Sequence, residues 1–193
     1  VKPQKKESEK LIMTNENDIL RVLKSRRSVR KYTSQVVAED LLDRIVEAGL
    51  YAPTGMNRQA VIILKITDQA TVRQLGHING TIMGTGNDAF YGAPAVLCVL
   101  ARRDNPTGLY DGCAVITNML NEAESLGLGS CWIHRGKEQF ETEEGKSILK
   151  RAGIDPDTYI GIDNVIVGYR DGEKMTAPAR KENRVYSIPA AGK

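Results

Sequence analysis

Four short, largely apolar runs constrain this chain more than anything else in it. They lie at 60–66, 95–101, 128–133 and within 159–169, the last strongest at Val165-Ile166-Val167. Runs of this length, bounded by turn residues, suit strands buried on both faces. Between them the apolar spacing changes to that of helices. Asn17 can cap a helix over Asp18–Ser25, with Ile19, Leu20 and Leu23 on one face. A second helix is predicted over 38–51, where Leu41, Leu42, Ile45, Val46 and Gly49 share a face and Pro53 blocks continuation. Asp68 can cap a helix through Leu75, and the glycine-rich stretch 76–88 reads as an irregular connection. The longest helix is predicted over 111–126, with Asp111 as its cap and Gly127 as its stop. It is apolar enough to be buried, and a subunit interface would suit it. An amphipathic helix follows over 137–152, closed by Gly153, and Val185-Tyr186-Ser187-Ile188 can form a terminal extended strand. Strands interspersed with helices give a layered α/β-type domain.

A chain of 193 residues is long enough for one domain with a proper core. Residues 13–193 are read as that domain. Residues 1–12 carry almost no apolar pattern and are read as a leader or a disordered arm, with Met13 as the natural start. The net charge of +3 comes from 27 basic and 24 acidic residues that are well mixed, which argues against nucleic acid as a partner. No apolar run approaches the roughly 18 residues of a membrane helix. Cys98, Cys113 and Cys131 show no close pairing, and His77 and His134 lie apart, so neither a disulfide framework nor a metal site is expected. Cytoplasmic localisation follows as the expectation.

Two polar segments carry the chemistry. Arg26-Arg27-Ser28-Val29-Arg30-Lys31 concentrates four cations and a hydroxyl in six residues. Guanidinium forks at that density suit a phosphate dianion, although a solvated basic loop has the same composition. Pro53-Thr54-Gly55-Met56-Asn57-Arg58-Gln59 is a helix-to-strand turn by composition. Its Asn57 and Gln59 amides can also meet the carbonyl and amide edge of a flat polar ligand. The glycines at 76–92 do not form the GxGxxG fingerprint after a strand. Trp132 is expected in the core, and Cys113 and Cys131 as packing residues.

Taken in order, RRSVR, PTGMNRQ, YGAPAVLCVL, DGCAVITNMLNEAESLGLGSCWI, VGY and the terminal APARKENRVY resemble the FMN-dependent nitroreductase family over about 19–188. The resemblance implies a central, mostly antiparallel sheet flanked by helices, in a homodimer with FMN at the subunit interface. Carried over by position, Arg26, Arg27, Ser28 and Arg30 would hold the phosphate and ribityl chain. Pro53, Thr54, Gly55, Met56 and Asn57 would line the flavin from the partner subunit, with Gln59 in the same motif. Ile133, His134, Arg135 and Gly136 match the place where backbone amides meet flavin N5 and O4. Arg180 and Lys181 would complete the phosphate site.

The implied activity is oxidation of NADH or NADPH and transfer of electrons to nitroaromatics, quinones or similar small acceptors in a ping-pong cycle. No side-chain acid or base is expected to be indispensable. A related flavin enzyme, dehalogenating or oxygen-dependent, and a non-catalytic FMN-binding module are the alternatives. Two departures stand out: Ala60-Val61 where many relatives have Pro-Trp, and the His134-Arg135 pair where small or acidic residues are common.

Overall fold

The computed structural model of the protein describes residues 17–190, so the expectation for 1–12 lies outside the described residues. Strands β1 (Val61–Ile66), β2 (Ala95–Arg102), β3 (Gly129–Ile133) and β4 (Tyr159–Gly168) form one sheet. Its order is β1-β2-β4-β3 and every neighbouring pair is antiparallel. Six α-helices accompany it among the described residues: α1 (Asp18–Ser25), α2 (Glu39–Leu50), α3 (Gln69–Ile82), α4 (Gly108–Ser125), α5 (Gly136–Glu141) and α6 (Glu143–Arg151).

Alternation along β2 explains the layering. Ala95, Leu97, Val99 and Ala101 pack with Leu42 and Ile45 of α2 and Ile116 and Met119 of α4. Val96, Cys98 and Leu100 point the other way, into a second core with Leu75 of α3, Phe140 of α5 and Leu149 of α6. A strand buried on both faces must be apolar throughout, which is why these runs lack the polar alternation of a one-sided sheet. Each fully buried aliphatic side chain contributes about 1.5–3 kcal/mol. Helices on both faces and an antiparallel sheet agree with the expected architecture.

Four expectations need correction. The stretch read as irregular from Gly76 is helical to Ile82. Gly76 and Gly80 serve close packing there: an added Cβ would stand 2.0 Å from Asp88 Oδ1 and 1.7 Å from the Asn87 carbonyl oxygen, respectively. The Gly80 carbonyl in turn accepts from the Thr85 and Gly86 amides. The amphipathic helix over 137–152 is two helices, because Thr142 is extended and caps the second. Its hydroxyl donates to the Gln139 carbonyl at 2.8 Å and accepts from the Gly145 amide at 3.0 Å. Helix α4 begins at Gly108, so Asp111 lies inside its first turn and does not cap it. Finally, Val185–Ile188 forms no strand; Val185, Tyr186 and Ile188 stand exposed.

Gly80→Ala is expected to cost about 1–3 kcal/mol through overpacking against residue 87, read as a lower urea midpoint with unchanged slope. An unchanged midpoint would mean that the 83–88 connection yields freely.

Candidate functional site

The arginine segment leaves α1 and is strapped to the sheet. Ser28 bridges Ser130 at the start of β3, and Tyr32 bridges Arg170 just past the end of β4. The Val29 amide donates to the Ser130 carbonyl at 2.9 Å, and the Tyr32 hydroxyl donates to the Val29 carbonyl at 2.7 Å. These bonds hold Arg27, Ser28, Arg30 and Lys31 beside Arg170, around a cavity of about 310 Å³. Lys31 pairs with Asp171 at 2.8 Å, and Glu173 also lines the cavity, so the cations outnumber the acids. Arg27 donates to the carbonyls of Arg26 and Lys24, yet its Nε is buried without a partner. An orphaned guanidinium N–H in a cationic cavity fits an anion such as a phosphate. Arg30 leans over the Tyr91 ring, 6.0 Å from its centre. Arg26 caps α1 at the segment's start.

At the far end of β3, about 13 Å away at strand rise, the chain turns at Ile133-His134-Arg135-Gly136. Asp163 of β4 organises this turn. Its carboxylate accepts from Trp132 Nε1 at 2.6 Å and from the Gly136 amide at 3.3 Å, and lies 3.1 Å from His134 Nδ1. The His134 carbonyl accepts from Asn79 Nδ2 at 2.7 Å, and Asn79 belongs to a fully buried amide cluster with Gln139 and Asn164. Arg135 is left-handed, with φ 75°, and its N–H has no acceptor among the described residues. Trp132 is thus half-buried with a polar anchor, and is not wholly a core residue.

The 53–59 loop sits elsewhere. The Gly55 amide donates to Asp111 Oδ1 at 3.0 Å, at the start of α4. A Cβ on Gly55 would stand 2.5 Å from Thr107 Oγ1. Met56, Asn57 and Gln59 all have positive φ, at 54°, 52° and 49°, a strained sequence held by the Thr54 hydroxyl and the Gln59–Asn57 amide bond. Pro53, Met56, Asn57 and Gln59 present exposed side chains. The arginine segment, by contrast, is anchored at the other end of α4, where Ser25 Oγ donates to Glu124 at 2.7 Å. From Asp111 to Glu124 is about 20 Å at helical rise. Within one chain the structure therefore joins the arginines to the 133–136 turn through β3, and keeps the 53–59 loop apart. Arg180 and Lys181 lie in the exposed tail and do not line the arginine cavity.

Two residues escaped the sequence reading. Arg170 joins the cavity only because the strap pairs with the end of β4, which no local pattern announces. Asp163 did leave a signal, as the one charged residue inside the apolar run Tyr159–Gly168. Among the described residues no cluster of three or more His, Cys, Asp or Glu side chains could hold a metal, and no helix is long and apolar enough to cross a membrane.

A four-stranded antiparallel sheet between helix layers is a fold this chain shares with nitroreductases whose structures hold FMN. One such structure, a Bacteroides fragilis nitroreductase with bound FMN, superposes with TM-score 0.83 at 26% identity, over 90% of this chain and 100% of that one. The chain belongs to the Nitroreductase family, which matches residues 23–83 and 80–169. An Archaeoglobus fulgidus protein provisionally named NADH dehydrogenase/NAD(P)H nitroreductase is 25% identical over 81% of this chain and 88% of its own. A Methanothermobacter thermautotrophicus protein of the same name is 26% identical over 60% of each chain, so the match spans less than two thirds of that relative.

Asp111 links this geometry to pH. Burial alone would raise its carboxyl, but hydrogen bonds from Asn105, the Gly55 amide and Thr107 hold it below the ordinary aspartate value. An unfolded aspartate titrates near about 3.9, so the ionised form stabilises the fold above that pH. The contribution fades as pH falls through the lower folded value. Asp111→Asn should therefore be less stable than wild type at neutral pH, with the gap closing in acid. Thermal unfolding of both proteins as a function of pH checks this; a gap that does not narrow as the pH falls would contradict it.

Proposed function

We propose that the chain is an FMN-dependent oxidoreductase that takes reducing equivalents from NADH or NADPH. It passes them to small-molecule acceptors such as nitroaromatics or quinones, with donor and acceptor occupying the site in turn. The observation that carries the reading is the buried, unpartnered Arg27 Nε among Arg30, Lys31 and Arg170. Its segment is bridged to β3, the edge strand that leads into the turn presenting the Arg135 N–H. Family membership and the FMN held by the Bacteroides fragilis nitroreductase support the choice of ligand.

FMN, when bound, supplies the hydride chemistry. The chain's own residues bind and orient it. Arg27 and Arg170 donate to the phosphate, assisted by Arg26, Ser28 and Arg30, and Arg180 and Lys181 arrive from the tail. The Arg135 N–H, with the backbone of Ile133, His134 and Gly136, meets the ring's polar edge. Pro53, Thr54, Gly55, Met56, Asn57 and Gln59 line the ring from a second copy of the chain.

That second copy is favoured by the 20 Å rule above and by unpartnered apolar surface. An open groove of about 750 Å³ between α1, α2 and α4 carries exposed Ile19, Leu23 and Tyr51. The tail adds exposed Val185, Tyr186 and Ile188, which a homodimer would cover. Free thiols at Cys98, Cys113 and Cys131 suit a reducing compartment, so we assign the protein to the cytoplasm.

Purified protein incubated with FMN and freed of excess should stay yellow, bleach with NADH or NADPH without oxygen, and recover on adding a quinone. Protein that takes up no FMN would overturn the reading. Arg27→Gln should weaken FMN about 10–100-fold, the range of one charge-assisted hydrogen bond, and weaken riboflavin, which lacks the phosphate, far less. Equal losses for both ligands would remove Arg27 from the phosphate site.

A further inference from the structure

Asp163 is more than a strand residue. It is 5% exposed in the middle of β4. Register with β2 slips at this point: Val99 faces Asp163 but Leu100 faces Gly161, so Ile162 is the extra residue of a bulge. Bulges bend a strand and re-aim the neighbouring side chain. Re-aimed, the carboxylate meets three groups that all belong to the 132–136 turn: Trp132 Nε1, His134 Nδ1 and the Gly136 N–H. An added Cβ at Gly136 would stand 2.7 Å from the Asp163 backbone, so only glycine permits this approach.

The carboxylate's charge is poorly neutralised. His134 is its one ion-pair partner among the described residues, and counts only when protonated. Arg102 and Arg103 line the same cavity as His134 and Asp163. Arg102, however, pairs with Asp104, and Arg103 is bound to the Pro156 carbonyl. Lys137 and Glu138 line it too and offset one another in sign. On the α4 side, burial pushes the Cys113 thiol up and the Asp163 charge adds to that rise.

We propose that Asp163 is a positioning residue that also sets the reduction potential of the cofactor. By clamping Trp132, His134 and Gly136 it fixes the turn so that the Arg135 N–H, which has no acceptor among the described residues, faces the ring edge. Its negative charge, close to that edge, disfavours the reduced cofactor, which carries more negative charge than the oxidised form. The inference rests on the FMN reading above, and goes beyond it in assigning a role to a residue that need not touch FMN.

Trp132 is the only tryptophan in the chain, so its fluorescence reports on the clamp without any cofactor. Asp163→Asn keeps the shape and removes the charge. In cofactor-free protein it should shift the Trp132 emission while the circular dichroism stays that of wild type. In FMN-loaded protein it should favour the reduced form at least tenfold, a rise of about 30 mV for a two-electron couple, measured by equilibration with a reference dye. Trp132→Phe, which removes one donor and leaves the charge less satisfied, should move the potential the opposite way. It serves equally if Asp163→Asn does not fold. A potential unchanged in Asp163→Asn, or one that rises in Trp132→Phe, would overturn the proposal while leaving the FMN reading intact. Wild-type protein that takes up no FMN would overturn both.

Discussion

The length of α4 is the constraint on which the proposed site depends. Its 18 residues lie across the sheet, with the Gly55 loop fastened to Asp111 at one end and α1 fastened to Glu124 at the other. A rigid rod about 20 Å long between the two attachment points keeps the polar loop and the arginine strap of one chain from closing on one ligand. Each half is well made and incomplete. The strap holds a guanidinium N–H without an acceptor, and the loop holds Met56, Asn57 and Gln59 in the left-handed region with exposed side chains. The two-fold dimer proposed for the chain would resolve both, by bringing the loop of each copy to the strap of the other.

The edge strand β3 supplies the second axis of the site. Pairing only with β4, it leaves its outer edge to the strap at Ser28 and delivers the chain into the 133–136 turn. The two ends of this strand are electrically different. The strap end is rich in fixed positive charge, suited to a phosphate dianion. The turn end is governed by a buried carboxylate with neutral donors, which spends its hydrogen-bonding capacity on shaping backbone. In the proposed site one end would grip the cofactor and the other would adjust it, so that affinity and potential could be altered separately.

Much of the fold was legible because β2 and β4 are buried on both faces and must be written as unbroken apolar runs. Helix α2 was legible from its one-sided stripe, and its stop from Pro53. What local pattern could not convey was the use of small or hydroxyl residues by distant neighbours. Gly76 and Gly80 look like turn formers until residues 87 and 88 are seen against them. Thr142 looks like any helix residue until its hydroxyl is found capping α6. The arginine strap was singled out for its density of guanidinium groups, which suits a phosphate but is shared by solvated basic loops. Arg170 was not, because strap pairing and not sequence proximity brings it there. Asp163 could be noticed as a charge in an apolar strand, but its partners are visible only once the bulge at Ile162 is known.

The most direct test of the shared site is complementation between two damaged chains. One chain carries Arg27→Gln and Arg30→Gln, the other Asn57→Ala and Gln59→Ala, and the two are co-refolded in equal amounts. Random pairing gives heterodimers with one doubly damaged site and one intact site, so about a quarter of all sites should regain wild-type FMN affinity. FMN retained by the mixture at that level, and by neither variant alone, is the result expected here. A mixture that retains no more FMN than its two components would show that the strap and the loop do not meet across a dimer.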